Sequence, residues 1–203
     1  MAQQNFSNRS CLRKFLGLSE DQQVLEWLHD LFAFTDSDSV QRELLKYNQQ
    51  ILLHFSETVS GSSQFPYSRQ ILWKSDDFEV MLARWNKQMS CSPHNHGFSR
   101  GFVWFVEGDF EESGYVFQQG NLVPQGKTTW MAGDVSHVRT DDIHSCRPQN
   151  GGVTLHFYSP PIHQMKVYSH EQKTTYTVSD TCGAWAPVDP SDLIAAVPWG
   201  QTP

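Results

Sequence analysis

The chain has 203 residues, of which 38% are hydrophobic and 18% charged, proportions that exclude a largely disordered protein and fit one compact domain. Its 15 lysines and arginines against 22 aspartates and glutamates give a net charge of −7, and no basic run occurs, so we expect no nucleic-acid partner. The longest apolar run, 101–106, is too short to cross a bilayer, and the first residues lack the features of a signal peptide, so we expect no membrane association.

Helical patterns occupy the N-terminal part of the chain. Residues 1–18 show no sustained periodicity, and we interpret them as a tail or a surface strap. The sequence Ser-Glu-Asp-Gln at 19–22 predicts a capping box at the start of a helix, since apolar residues follow it at helical spacing. A second helix is predicted to begin within 36–39 and to direct the following residues inward: Val40, Leu44, Leu45, Ile51, Leu52 and Phe55. We expect this helical part, 19–57, to pack on one side of a larger body.

Short strands separated by Gly, Pro, Asn and Asp characterise residues 61–180. The predicted strands are 78–85, 102–106, 114–118, 128–131, 153–158, 166–168 and 174–178. Many short strands at this spacing indicate a sandwich or a small barrel. Residues 181–203, rich in Pro, Trp and Ala, are predicted to form an irregular C-terminal extension. We therefore predict a single, mainly β domain over 1–203, a small β-barrel of the cupin or jelly-roll type with N-terminal helices on one side.

The four cysteines are spread along the sequence and include no C-x-x-C pair. That spacing suits neither a disulfide scaffold nor a zinc knuckle. It indicates a soluble protein of a reducing compartment, and we expect it in the cytoplasm.

Two closely spaced histidines, His94 and His96, are the first residues that suggest chemistry. On an extended segment, residues two apart project to the same face, so both imidazoles can bind one metal ion. Two surface histidines beside a turn would give the same short motif, and the residues that follow it are therefore needed to choose between these interpretations.

Glycines follow the histidine pair at 101 and 108, and this spacing resembles the first motif of the cupin superfamily. The second cupin motif supplies one more histidine, for which both His144 and His137 are candidates. Gly101 stands where many cupins have a metal-binding glutamate, so the site would offer three neutral nitrogens and leave positions open for a chelating anion and dioxygen. A structural zinc site would instead be closed by four ligands.

The segment 152–159 alternates along its length. One face carries Val153, Leu155 and Phe157, and the other carries Thr154, His156 and Tyr158. The polar face would line a polar cavity, or it would face water as in most antiparallel strands. The following Ser-Pro-Pro at 159–161 ends the strand and permits a cis peptide bond.

Taken together, these motifs resemble the cysteine dioxygenase family of thiol dioxygenases, cupins with a mononuclear non-haem iron. The resemblance extends from about residue 67 to 178 and rests on Tyr-Ser-Arg at 67–69, Trp85, the 94–96 motif and the 154–161 strand. The segment 133–144 matches the family's approach to its third iron ligand, which favours His144 over His137.

The resemblance implies a role for each matching residue. His94, His96 and His144 would bind Fe(II). Tyr158 would be the active-site phenol, His156 its hydrogen-bond partner, and Thr154 would replace the family's usual serine. Arg69, with Tyr67 beside it, would grip the substrate carboxylate. Since Gly101 replaces the cysteine that animal members link to the tyrosine, as in bacterial members, we expect no Cys–Tyr thioether.

The implied reaction adds both atoms of O2 to the sulfur of L-cysteine and gives cysteine sulfinic acid, with the small-molecule thiol and O2 as partners of a monomer. Arg69 favours cysteine, because enzymes that prefer 3-mercaptopropionate commonly have glutamine there. The alternatives are a 3-mercaptopropionate or broader thiol dioxygenase, a non-catalytic metal-binding cupin, and a zinc or manganese cupin isomerase.

Overall fold

The computed structural model describes residues 2–59 and 64–200. Its helices are α1 (Ala2–Leu16), α2 (Asp21–Ala33), α3 (Ser37–Leu44) and α4 (Gln50–Ser56). Its strands are β1 (Tyr67–Lys74), β2 (Glu79–Trp85), β3 (Arg100–Glu107), β4 (Phe110–Gln118), β5 (Asn121–Trp130), β6 (Val135–Val138), β7 (Ile143–Pro148), β8 (Gly152–Ser159), β9 (Lys166–Ser169), β10 (Thr174–Val178) and β11 (Leu193–Pro198). Among the helices of this described part, none has the length and apolar character that a bilayer span requires.

The strands form three antiparallel sheets, ordered β1-β2-β8-β3-β6, β5-β4-β7 and β11-β10-β9. The prediction of a mainly β fold is confirmed, but within the described residues the sheets do not close into a continuous barrel. Isolated bridges replace a full ladder where His94 pairs with His144 on β7 and with Val167 on β9. These bridges link the two three-stranded sheets through the predicted metal ligands.

The five-stranded sheet is buried on both faces. One face packs with the helices in a core that includes Trp104 and Phe157, and the other forms a second core with residues of the smaller sheets. β8 lies between β2 and β3 in this sheet, and all of its side chains from 153 to 158 are buried. The polar face of β8 therefore lines the interior, and the alternative of a water-facing strand is excluded.

Residues 2–16 form the helix α1 and not a tail. Apolar residues in its second half are buried in the helix-facing core: Cys11, Leu12, Phe15 and Leu16. These apolar residues span little more than one turn, which is too short for a periodicity to emerge from the sequence.

The predicted helix starts need smaller corrections. α2 is capped one residue later than expected, because the Gln23 side chain accepts a hydrogen bond from the Glu20 backbone N–H at 3.1 Å. α3 begins as predicted, with the Asp36 carboxylate accepting from the Ser39 N–H at 2.7 Å. The second predicted helix is divided into α3 and α4 by an interruption in which the Asn48 side chain accepts from the Gln50 N–H at 3.1 Å. As a result, Leu45 is 51% exposed instead of pointing inward.

The C-terminal extension is more regular than predicted. It contains a 3-10 turn, Pro190–Asp192, and the strand β11, which pairs with β10. All side chains of β11 are exposed, so the strand has no alternation of buried and exposed residues by which the sequence could reveal it.

Candidate active site

Three histidines converge between the sheets. The backbone N–H groups of His94 and His144 each donate to the carbonyl of the other, at 2.9 and 3.0 Å, so the two residues lie directly opposite each other. His96 follows two residues after His94, and ring nitrogens of all three lie within 4.8 Å of one another. All three side chains are buried. The structure thus brings together the three residues predicted as metal ligands.

The competing candidate, His137, lies elsewhere. It is on β6, and its ring stacks on Phe102 with 5.0 Å between the centroids. Phe102 belongs to the core that faces the helices, whereas the neighbour of His137, Ser136, lines the cavity on the opposite face of the sheet. His137 therefore points away from the cluster.

The histidine cluster has the charge state and free nitrogens that a metal ion requires. Burial, followed by the neighbouring His144, lowers the pKa of His94 to about 3, and burial lowers the pKa of His96 well below its ordinary value. The Nδ1–H of His94 donates to the Ser92 carbonyl at 2.9 Å, which leaves Nε2 with its lone pair. Among the described residues, buried His96 Nδ1 and His144 Nε2 have no hydrogen-bond partner. Buried polar atoms rarely stay unpaired, so the cluster fits a bound metal.

Glu112 on β4 is a functional residue that the sequence analysis did not identify. Its carboxylate accepts hydrogen bonds from His144 Nδ1, Trp130 Nε1 and Ser136 Oγ. Burial alone would raise the pKa of Glu112, but these hydrogen bonds and the nearby His144 outweigh it and lower the pKa. A carboxylate therefore lies beside the site that was predicted to contain only histidines. It orients His144 by accepting the hydrogen of Nδ1.

A chain of hydrogen bonds leads to Tyr158. Trp85 Nε1 donates to Thr154 Oγ1 at 2.8 Å, Thr154 Oγ1 lies 2.8 Å from His156 Nε2, and His156 Nδ1 lies 2.9 Å from the Tyr158 hydroxyl. Burial lowers the pKa of His156 to about 3 and raises the pKa of Tyr158 well above 10. The Tyr158 ring stacks on His96 at 5.1 Å between centroids, so the chain ends beside the histidine cluster.

The two predicted substrate residues, Tyr67 and Arg69, lie on β1 and are held by the C-terminal part of the chain. Arg69 Nη2 donates to the Asp180 carbonyl at 2.7 Å, and the Tyr67 hydroxyl accepts from the Ala184 N–H at 2.9 Å. Burial raises the pKa of Tyr67 to about 12, so the phenol stays protonated. The segment that contains Asp180 and Ala184 therefore fixes the position of both side chains.

One cavity connects all the predicted site residues. It is lined by Tyr67, Arg69, His94, His96, His144, Thr154, His156 and Tyr158. Much of its remaining wall is apolar and comes from Met81, Val103, Phe105, Ile162 and Met165. In such a cavity, a few polar side chains orient a small polar ligand, and the apolar walls exclude bulk water.

Gly101 stands directly opposite Tyr158 in the pairing of β3 with β8. A Cβ atom at residue 101 would lie 1.8 Å from the Phe157 carbonyl oxygen. The close approach of the two backbones therefore requires glycine, and residue 101 places no sulfur near the tyrosine.

The family model described as "Cysteine dioxygenase type I" matches residues 63–171. The chain is similar to cysteine dioxygenase type 1 of Danio rerio, with 22% identity over 177 residues, covering 79% of this chain and 84% of that protein. It is also similar to cysteine dioxygenase type 1 of Rattus norvegicus, with 23% identity over 184 residues and coverage of 81% and 88%.

Solved structures also resemble parts of the chain. An RmlC-like cupin from Shewanella frigidimarina aligns with a TM-score of 0.41 and 21% identity, over 51% of this chain and 86% of that one. KdgF from Halomonas sp. aligns with a TM-score of 0.41 and 17% identity, over 49% and 85%.

Proposed function

We propose that this chain, which belongs to the cysteine dioxygenase type I family, uses Fe(II) to add both atoms of O2 to the sulfur of L-cysteine. Family membership makes the chain a metal-binding dioxygenase, an oxidoreductase of the cupin superfamily. The observation that carries the finer proposal is the buried cluster of His94, His96 and His144, which shares one cavity with Arg69 and Tyr158.

The three histidines would hold the iron through neutral ring nitrogens. They add no negative charge, so the ion keeps its full positive charge. When bound, Fe(II) would supply a Lewis acid that binds the substrate thiolate and activates dioxygen. The thiol and O2 together contain every atom of the sulfinic acid product, so the reaction RSH + O2 → RSO2H requires no external reductant.

Arg69 would recognise the substrate carboxylate. The Asp180 carbonyl accepts from one guanidinium nitrogen, which orients the planar group at the edge of the cavity. A guanidinium can bind a carboxylate through two parallel hydrogen bonds, a geometry that lysine cannot reproduce. The amine and thiol of the bound cysteine would then lie toward the histidines.

Tyr158 would donate a hydrogen bond from its protonated hydroxyl to the substrate or to dioxygen. Its raised pKa keeps the proton on the phenol at neutral pH, and His156 holds the oxygen in place at 2.9 Å. We propose a monomer as the working unit. Since residue 101 is glycine, we also propose that the active enzyme contains no Cys–Tyr thioether, and an intact mass equal to that of the sequence would support this.

The test combines oxygen uptake with product analysis. Protein loaded with Fe(II) should consume one O2 per L-cysteine and yield a product heavier by two oxygen atoms in mass spectrometry. A higher kcat/KM on 3-mercaptopropionate would favour the broader thiol dioxygenase. Metal binding without oxygen uptake on any thiol would favour a non-catalytic cupin. Zinc or manganese in protein purified without added metal, with no uptake after iron loading, would favour an isomerase.

A further inference from the structure

We infer that His163 is a positioning residue that keeps the carboxylate of Asp180 away from Arg69, so that the guanidinium stays free for the carboxylate of the substrate. The part of this inference that concerns the substrate rests on the proposed function. The contacts that Asp180 makes with Arg69 and with His163 are features of the structure itself.

Asp180 contacts Arg69 and His163 through different groups. Its backbone carbonyl accepts a hydrogen bond from Nη2 of Arg69 at 2.7 Å, whereas its two carboxylate oxygens lie 3.0 and 3.3 Å from Nδ1 of His163. An ionised carboxylate can only accept, so Nδ1 of His163 has a hydrogen and donates it. Within the described residues, the Arg69 guanidinium therefore has a carbonyl as its partner but no carboxylate.

The Asp180 carboxylate is a tethered competitor for Arg69. A guanidinium binds a carboxylate more strongly than a neutral carbonyl, because the hydrogen bonds are charge-assisted and can form in parallel. Since the Asp180 carbonyl already contacts Nη2, rotation of this short side chain to another staggered rotamer would turn its carboxylate from His163 toward the guanidinium. The pair would neutralise the cation that we propose binds the substrate, and as an intramolecular contact it would compete at a high effective concentration.

The loop that contains His163 is held in place by groups other than the imidazole. A Cβ atom at Gly97, just after the 94–96 motif, would lie 2.3 Å from the His163 carbonyl oxygen, so the two backbones are in close contact. On either side of His163, the buried side chains of Ile162 and Met165 line the cavity. The His163 side chain itself is 67% exposed. His163→Ala should therefore remove the hydrogen-bond donor without moving the loop.

The chain offers a matched control in His54 on α4. This histidine is also exposed, and its Nδ1 lies 3.6 Å from a carboxylate oxygen of Glu57. His54→Ala therefore removes the same atoms from a histidine–carboxylate pair that does not line the cavity. His163→Asn is the conservative variant, because the amide of asparagine can place an N–H where histidine has Nδ1.

The test measures the binding of L-cysteine and of cysteamine, which has no carboxylate. It uses calorimetric titration without oxygen on the full-length chain loaded with redox-inert zinc(II). We expect His163→Ala to raise the Kd for L-cysteine about threefold to fivefold, the range of one exposed ion pair, and to change that for cysteamine less than about twofold. His163→Asn and His54→Ala should bind L-cysteine as the wild type does. An unchanged Kd for L-cysteine in His163→Ala, or an equal loss for both thiols, would overturn the inference.

A second pair of variants separates competition by Asp180 from a structural role of His163. Asp180→Asn keeps the backbone carbonyl but has no charged competitor, so adding His163→Ala to it should change the Kd for L-cysteine less than about twofold. The same loss in both backgrounds would mean that His163 acts through packing, which would also overturn the inference. Iron-loaded protein that does not oxidise cysteine would reject the proposed function, whereas the binding result would still decide the role of His163.

Discussion

The carboxylate of Glu112 accepts a hydrogen bond from Nδ1 of His144, and this fixes which nitrogen of the third histidine can bind a metal. Since the hydrogen is on Nδ1, the unpartnered Nε2 has the free lone pair. A carboxylate behind a metal-binding histidine also makes the imidazole a stronger base. Trp130 and Ser136 hold the carboxylate from two other strands, so the orientation of His144 depends on three elements beyond its own strand.

Glu112→Gln should weaken metal binding. Glutamine keeps the shape of the side chain but loses the charge, and loss of such a partner typically lowers metal affinity about 10–100-fold. Affinity for Fe(II) or zinc(II) can be measured by competition with a chelator. The control is Glu111→Gln on the same strand, which removes an exposed ion pair with Lys127 (2.7 Å between Nζ and Oε1) and should leave the affinity unchanged. Equal affinities in the two variants would contradict the role of Glu112.

Arg69→Lys should reduce the preference for substrates with a carboxylate. Lysine retains the charge but not the two-point contact, so we expect kcat/KM on L-cysteine to fall about tenfold or more. Cysteamine, which has the thiol and amine but no carboxylate, should be oxidised poorly by the wild type and nearly as poorly by the variant. For each enzyme, the ratio of kcat/KM on L-cysteine to kcat/KM on cysteamine measures the contribution of the carboxylate contact.

Two further variants define the substrate preference. Arg84→Lys on β2, whose guanidinium donates to Ser56 at 3.4 Å, is the control and should leave the ratio unchanged. Arg69→Gln should lose turnover on cysteine and be affected less on 3-mercaptopropionate. If Arg69→Gln oxidised cysteine as fast as the wild type, recognition of the carboxylate by Arg69 would be excluded.

The sequence predicted the metal ligands because their signal is local, and it missed residues whose contacts depend on strand register. The 94–96 motif and the alternation of β8 each fall within a few residues. Glu112, by contrast, reaches His144 only because β4 pairs with β7, and β7 was not predicted, since its sequence of Ile-His-Ser-Cys-Arg-Pro has no apolar alternation. Trp85 was among the residues that carry the family resemblance, but its contact with Thr154 was not predicted, because it depends on the pairing of β2 with β8.

Gly101→Ala should destabilise the fold. The added methyl group would lie 1.8 Å from the Phe157 carbonyl oxygen, so β3 or β8 must move, and overpacking of this kind costs about 1–3 kcal/mol or more in the free energy of unfolding. Gly114→Ala on β4 is the control, since a Cβ there meets nothing within 4 Å. Urea unfolding of both variants measures the difference, and equal stabilities would show that the backbones at residue 101 can separate without cost.

The buried thiols should make the protein less stable at alkaline pH. Burial raises the pKa of Cys11 and Cys91 to about 12 and that of Cys182 to about 11, against an ordinary value of 9.0. The folded chain therefore keeps thiol protons that the unfolded chain releases. The free energy of unfolding should be at its full value below about pH 9 and should fall as the pH rises from there toward the folded pKa values. Urea unfolding at about pH 8 and about pH 10 measures how steeply the free energy of unfolding falls with pH.

Cys11→Ala isolates the contribution of one thiol. Cys11 is 5% exposed in the core between α1 and the sheet, so the variant should be less stable at every pH because it leaves a cavity. Its stability should nevertheless fall less steeply above about pH 9, since one fewer proton is released on unfolding. A slope as steep as that of the wild type would mean that the Cys11 thiol ionises as readily in the folded chain as in the unfolded one. Burial would then not be protecting its proton.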